Sequence, residues 1–224
     1  ATTGVLIGFE KTGLTDHNLR WFSLLTVGRN PFTPYFGLGD STSYNSALDR
    51  DNFYVYLQRS FFFRNSLRKK IGKGWEGSVG FDLRHVTSES KGASTLFGND
   101  FSGKKMESKG ASLFAGVIRE KRDSEFFPTK GHFYSAFLTY GPSWLSNNED
   151  WLGWSTSFKY YHPLIKDRWL TVASQVQYSG NTSSAPLNQK SILGSRGTVR
   201  GYRYSRFISN QFFGVRAELR SMLI

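Results

Sequence analysis

The 224-residue sequence contains no cysteine, which excludes disulfide bridges and thiolate metal sites; the lack is compatible with an oxidising periplasm and outer membrane. It has no apolar run approaching the ~20 residues that a membrane-crossing helix needs. No charged-then-apolar leader stands at Ala1, so the chain is expected either to be processed or to begin inside a longer protein. Histidine is scarce, and His17, His85, His132 and His162 show no metal-ligand spacing. There is no G-x-S-x-G elbow; the GLGDS stretch at 37–41 faintly resembles a hydrolase serine block but lies in a long Ser/Asn-rich loop. No glycine-rich loop leads into a helix, as a phosphate-cradling loop would. An enzyme, a metal centre and a cofactor are therefore not expected.

What is present is aromatic. Rings make up 17% of the residues, with 20 Phe, 11 Tyr and 6 Trp, while hydrophobic residues as a whole reach only 38%. Strands and interfaces favour that mix, and 23 Gly argue for many turns. The formal charge of +12 raises the question of nucleic acid, but the cations are scattered over the chain rather than gathered on one aromatic-interleaved face. The densest group, RNSLRKKIGK at 64–73, reads as a solvated turn, and anionic lipid headgroups suit it as well as any other partner.

Helical periodicity is nearly absent, whereas period-two alternation recurs from end to end. At 75–86, Trp75, Val79, Phe81 and Leu83 fall on one side, against Glu76, Ser78, Asp82 and Arg84. The same alternation sets Leu170, Val172, Val176 and Tyr178 against Thr171, Gln175 and Gln177, and Phe213, Val215, Ala217 and Leu219 against Arg216, Glu218 and Arg220. Strands are expected at 3–10, 20–28, 52–63, 75–86, 111–119, 133–140, 152–161, 168–178 and 211–223, several of them near the length that crosses a bilayer when tilted. The connections alternate between a tighter set and a set containing the three longest, as in an outer-membrane barrel with short periplasmic turns and long outer loops. Aromatics gather near the expected strand ends, among them Trp21, 61–63, Trp75, Tyr140, Trp154 and Tyr160, as interfacial girdles require. Periodicity alone leaves a soluble sandwich, with the same rings filling its core, as the other reading.

Two motifs carry a resemblance. Val199, Arg200, Gly201 and Tyr202 stand in a long loop at 180–210, ahead of a strand ending in AELR. Upstream, Arg122 and Asp123 are followed by Phe126, Phe127, Pro128, Thr129, Lys130 and Gly131. Together, with three strand patterns between them, these resemble the signature loop and the "R-D…PTxG" periplasmic turn of the BamA/TamA-type outer-membrane protein insertase superfamily. The likeness is strongest over 121–220.

The resemblance implies an all-β, antiparallel transmembrane barrel of sixteen strands, with residues 1–224 forming about nine of them within a single domain. The expected strand at 3–10 would be the family's fourth and that at 211–223 its twelfth, so the chain is expected to be part of a larger barrel. It implies that the loop folds into the lumen, that Arg200 pairs with Glu218 on the wall, and that Tyr202 packs on that wall. It also implies a Gram-negative outer membrane, or alternatively an organellar one, with lipids, unfolded outer-membrane polypeptides and assembly accessory proteins as partners, and no nucleic acid. Insertion or translocation of polypeptide is the implied function. A barrel anchoring a patatin-like phospholipase is one alternative, and a soluble β protein binding an acidic partner is another.

Overall fold

The computed structural model describes residues 2–13, 19–40, 42–92, 94–103, 105–165, 170–194, 198–199 and 201–221. Nine strands form one antiparallel meander: β1 (Thr3–Lys11), β2 (Leu19–Pro34), β3 (Val55–Gly72), β4 (Trp75–Ser90), β5 (Met106–Glu120), β6 (Gly131–Gly141), β7 (Trp151–Pro163) and β8 (Leu170–Asn181), closed on β8 by β11 (Gln211–Ser221). A small hairpin of β9 (Ser191–Leu193) and β10 (Phe207–Ser209) interrupts the last long connection, and two single-turn helices, α1 (Ser46–Arg50) and α2 (Leu96–Asp100), sit in the first two.

The alternation of each strand decides which way its side chains face, and the apolar side faces out. On β4, Val79 and Leu83 are 55% and 39% exposed while Asp82 and Arg84 are 5% and 4% exposed. A soluble sandwich buries its apolar face, so the chain inverts that pattern and has the wall of a barrel with a polar lumen and an apolar exterior.

Strand register also fixes tilt. Stepping straight across the ladder from Lys11, the last residue of β1, the row runs through Trp21, Leu67, Val79, Ala115, Leu138, Trp154 and Gly180 to Gln211, the first residue of β11. The sheet is thus staggered by the whole length of β11 over eight strand steps. With a rise of about 3.3 Å per residue and about 4.8 Å between strands, that corresponds to a tilt of about 40°, within the range of membrane barrels.

The cationic run 64–73 is not the solvated turn that its charge suggests. It is the second half of β3, and only Lys73 and Gly74 turn, both with positive φ (43° and 86°). Its cations alternate: Arg64, Arg68 and Lys70 share the inner face, where they meet the lumen, while Leu67 and Ile71 face out. For the same reason Phe61 and Phe63 lie mid-strand rather than at an end. Strands β2, β4 and β5 also run past their expected bounds toward the long-connection end, whereas β3 starts later than expected there and overruns at the short-turn end. Expected residues at 168–169 and 222–223 lie outside the described ones.

The long connections 35–54, 91–105, 142–150 and 182–210 all emerge at one end of the sheet. There Tyr35, Tyr56, Phe97 and Ile208 form a buried cluster, with the Tyr56 and Phe97 rings stacked 4.4 Å apart. The backbone NH of Gly39 donates to the Ile208 carbonyl at 2.8 Å, which ties the last long connection to the first. The Tyr35 hydroxyl donates to Asp100 at 2.8 Å; burial first, then that carboxylate, push its pKa above the ordinary phenol value. Tyr35→Phe leaves Asp100 without this donor and is expected to cost about 1 kcal/mol, read as faster amide exchange in α2 with the strands unchanged.

Candidate functional site

The turn at 121–130 is built around one carboxylate. Asp123 accepts from the Thr129 NH at 3.0 Å, the Thr129 hydroxyl at 2.6 Å and the Lys130 NH at 3.2 Å, while its own NH donates to the Lys130 carbonyl. Four backbone and side-chain groups of a non-repetitive segment are thereby satisfied at one residue. Pro128 is buried, whereas Phe126 and Phe127 project into the surroundings at 86% and 82% exposure. Arg122 folds back on Glu120, Nε to Oε1 at 2.8 Å and Nη2 to Oε2 at 2.5 Å, and lies over the Phe133 ring. Gly131 closes the turn with φ +106°; a Cβ there would stand 2.0 Å from the Lys121 carbonyl oxygen.

That glycine and the wall carboxylate belong to one row. Gly131 pairs with Tyr161, Tyr161 with Ala173, and Ala173 with Glu218. All four positions face inward, so the turn motif's Gly131 and the wall carboxylate Glu218, 87 residues apart in sequence, are held three strand spacings apart, about 14 Å. Glu218 is 15% exposed and accepts from Arg220 at 2.9 and 3.1 Å, with Arg216 Nε at 3.4 Å. Arg216 in turn donates to Gln175 at 2.7 Å, and Arg220 lies over the Tyr161 ring. The inner wall at the short-turn end thus sets Arg122, Lys159, Arg216 and Arg220 around Glu120 and Glu218.

The long loop answers the sequence expectation only in part. Arg200 lies outside the described residues. Val199 is half-buried, and Gly201 has φ +95° with open space where a Cβ would go. Tyr202 does not pack on the strand wall: it is 52% exposed and meets Phe207 of β10 edge-on at 5.4 Å, because the β9–β10 hairpin supplies the nearer apolar surface. Two cations after the motif tie the loop to the first long connection. Arg203 pairs with Asp49 at 2.6 Å, and Arg206 donates twice to Thr42 at 2.5 Å while lying over Phe207.

A second inward network stands higher in the wall. Arg64 grips Asp82 with two hydrogen bonds, Nε to Oδ1 at 2.7 Å and Nη2 to Oδ2 at 2.8 Å. Buried Arg84 shares that strand face, donating to Ser112 at 2.5 Å and stacking over Trp151 at 4.8 Å. Of the histidines, His85 meets Glu107 at 3.0 Å, and His132 and His162 lie against Phe158 and Tyr160. Among the described residues no three His, Asp or Glu gather as metal ligands.

Residues 24–223 match the Omp85 superfamily domain. The chain belongs to the Omp85 superfamily. The fold agrees with that membership: the Omp85 chain aligns with the crystal structure of BamA from Haemophilus ducreyi lacking POTRA domains 1-3, at a TM-score of 0.64 and 14% identity, covering 91% of this chain. It spans 38% of that chain's length. No curated protein matches it. At the coarse level, Omp85 membership and this fold place the chain among outer-membrane barrels.

Several residues of the Omp85 wall carry no motif. Glu120 was legible as a carboxylate two residues before Arg122, but its role needed the strand to end there. Asp82 and Arg84 showed only as polar members of an alternating strand. Arg203 and Arg206 find partners more than 150 residues away, which no local signal announces.

Proposed function

We propose that this chain is the larger part of a sixteen-strand outer-membrane barrel of a Gram-negative bacterium that inserts outer-membrane proteins or moves polypeptide, without cofactor or catalysis. The carrying observation is the row that joins the "R-D…PTxG" turn to Glu218 on the inner wall of an Omp85 chain. In this reading the long connections face outward and the short turns face the periplasm. The outer edges of β1 and β11 are taken up by further strands, since an open edge is untenable in lipid. The seam of that barrel opens and templates an incoming strand by β-augmentation. Unfolded outer-membrane polypeptides, with accessory assembly proteins, are its partners.

The test uses the full-length protein from its native membrane, reconstituted in phosphatidylcholine vesicles. Folding of a urea-unfolded barrel substrate, followed by its heat-modifiable band, is expected to run several-fold faster than in empty vesicles; equal rates would count against insertion. In the same reading Arg200 occupies the lumen beside Glu218, because a guanidinium withdrawn from water needs a carboxylate to offset desolvation. Arg200→Ala is expected to loosen the loop, raising protease cleavage within 180–210 and lowering the heat-modifiability midpoint. A variant unchanged in both leaves Arg200 as a solvent-facing cation.

A further inference from the structure

The outer face of the barrel carries a cationic band at one depth. Arg29 of β2 pairs directly with Arg59 of β3, and His85 of β4 pairs directly with Lys109 of β5. The second pair lies one outward step lower along the ladder, since His85 stands opposite Phe61. A stagger of ten residues over eight strand steps lowers the level of a given depth by just over one residue per strand, so this two-residue step on moving two strands keeps all four positions within about 5 Å of one depth. Lys109 stands eleven residues from Glu120, and Arg29 ten from Leu19, at the short-turn ends of their strands. That is about the 9–11 residues with which a tilted strand crosses the hydrocarbon layer. The band therefore lies at the headgroup level on the long-connection side.

Directly beneath it the wall is apolar, with Val5, Val27 and Phe61 exposed at 59%, 45% and 40%. These residues border an outer groove of about 770 Å³, which runs from the apolar wall up to Arg29, Arg59, His85 and Lys105; Lys109, paired with His85, stands beside it. Three cations, Arg29, Arg59 and Lys105, line the groove's upper end and Lys109 stands beside it on β5, against two carboxylates, Glu89 and Glu107. Arg59 and Lys105 share Glu89 at 2.8 and 3.4 Å, and Glu107 is engaged by His85. Arg29 and Lys109 make no ion pair among the described residues.

We propose that this groove is a binding site for a lipid with an anionic, phosphate-bearing headgroup in the leaflet on the long-connection side. Its acyl chains lie along Val5, Val27 and Phe61, and its phosphate is held by Arg29, Arg59 and Lys109. Zwitterionic lipid fits less well, because its own ammonium already faces the phosphate. An unbalanced cation excess at headgroup depth calls for an unbalanced anion, and in a layer of low dielectric each such contact counts for more than at a water-exposed surface. The site rests on the membrane-barrel reading given above.

The experiment is native mass spectrometry of the detergent-extracted full-length protein, titrated in separate runs with diphosphorylated lipid A, monophosphorylated lipid A and phosphatidylcholine. The wild type is expected to retain the diphosphorylated lipid best and phosphatidylcholine least. Arg29→Gln/Lys109→Gln breaks no ion pair seen in the wall, and is expected to reduce retention of the diphosphorylated lipid about tenfold with heat-modifiability unchanged. Lys69→Gln/Lys121→Gln, with the same charge change at the opposite rim, is expected to retain it as the wild type does. Equal retention of all three lipids, equal retention by wild type and the first variant, or equal loss in both variants would each overturn the site. A protein that leaves the membrane without detergent overturns the barrel reading as well, whereas one that needs detergent but does not discriminate overturns only this inference.

Discussion

Asp82→Asn is expected to destabilise the barrel by about 3 kcal/mol, the cost of removing one partner from a largely desolvated ion pair. The Asp82 side chain is 8% exposed and takes both hydrogen bonds of the Arg64 fork. Asparagine keeps the size and one acceptor but removes the charge that faces two guanidinium groups on the same wall. Arg64, at 43% side-chain exposure, recovers part of its hydration, which places the cost at the low end for buried pairs. Arg84 cannot recover as easily, being 4% exposed. The measurement is the urea midpoint of the folded, heat-modifiable band in detergent. Adding Arg64→Gln to Asp82→Asn is expected to restore part of the loss, because the orphaned charge is then gone; an unchanged midpoint in the single variant would show that lumen water screens the pair.

Gly131→Ala is expected to cost about 3 kcal/mol or to prevent folding, which ranks it with Asp82→Asn as the most damaging single change. Two effects combine at this residue. Its φ of +106° lies where side chains are strained, and the added Cβ would sit 2.0 Å from the Lys121 carbonyl oxygen and 2.9 Å from the Arg122 Cα, both backbone atoms that cannot swing away. Moving them pulls Asp123 off Thr129 and Lys130. Gly201→Ala is the internal control: its φ is +95°, yet among the described residues nothing stands within 4 Å of the added Cβ, so the dihedral cost of about 1–2 kcal/mol is what applies. The yield of heat-modifiable protein after refolding into detergent separates the two. Equal yields would mean that the 121–130 turn adjusts as a unit and that its geometry is not what guides β6 into the wall.

The apolar faces of β4, β8 and β11 were legible in sequence because period-two alternation survives whichever side is wet. The sign of that alternation was not legible from the pattern alone: a sandwich and a barrel write the same string, and only the exposure of Val79 beside the burial of Asp82 separates them. Strand ends at 64–73 were misjudged because a run of cations suggests a turn when the inner side of a strand is assumed to be dry. In a polar lumen Arg64, Arg68 and Lys70 are at home on that side. The Asp123 turn was readable residue by residue, since Pro, Thr and Gly at those spacings are local signals. The loop's anchoring by Arg203 and Arg206 was not, because Asp49 and Thr42 are brought near only by folding of the whole long-connection end.

The row from Gly131 to Glu218 sets different rules for length variation in different parts of the gene product. Segments 142–150 and 182–190 lie between Gly131 and Glu218 in sequence but at the far end of the sheet, so residues can be gained or lost there without changing which positions face each other across the ladder. One residue lost within β7 or β8 has the opposite effect, turning every later inward side chain of that strand outward until a bulge absorbs the slip. Divergence in this chain is therefore expected to accumulate as insertions and deletions on the long-connection face, while the count of residues within β6, β7, β8 and β11 stays fixed even where their identities change.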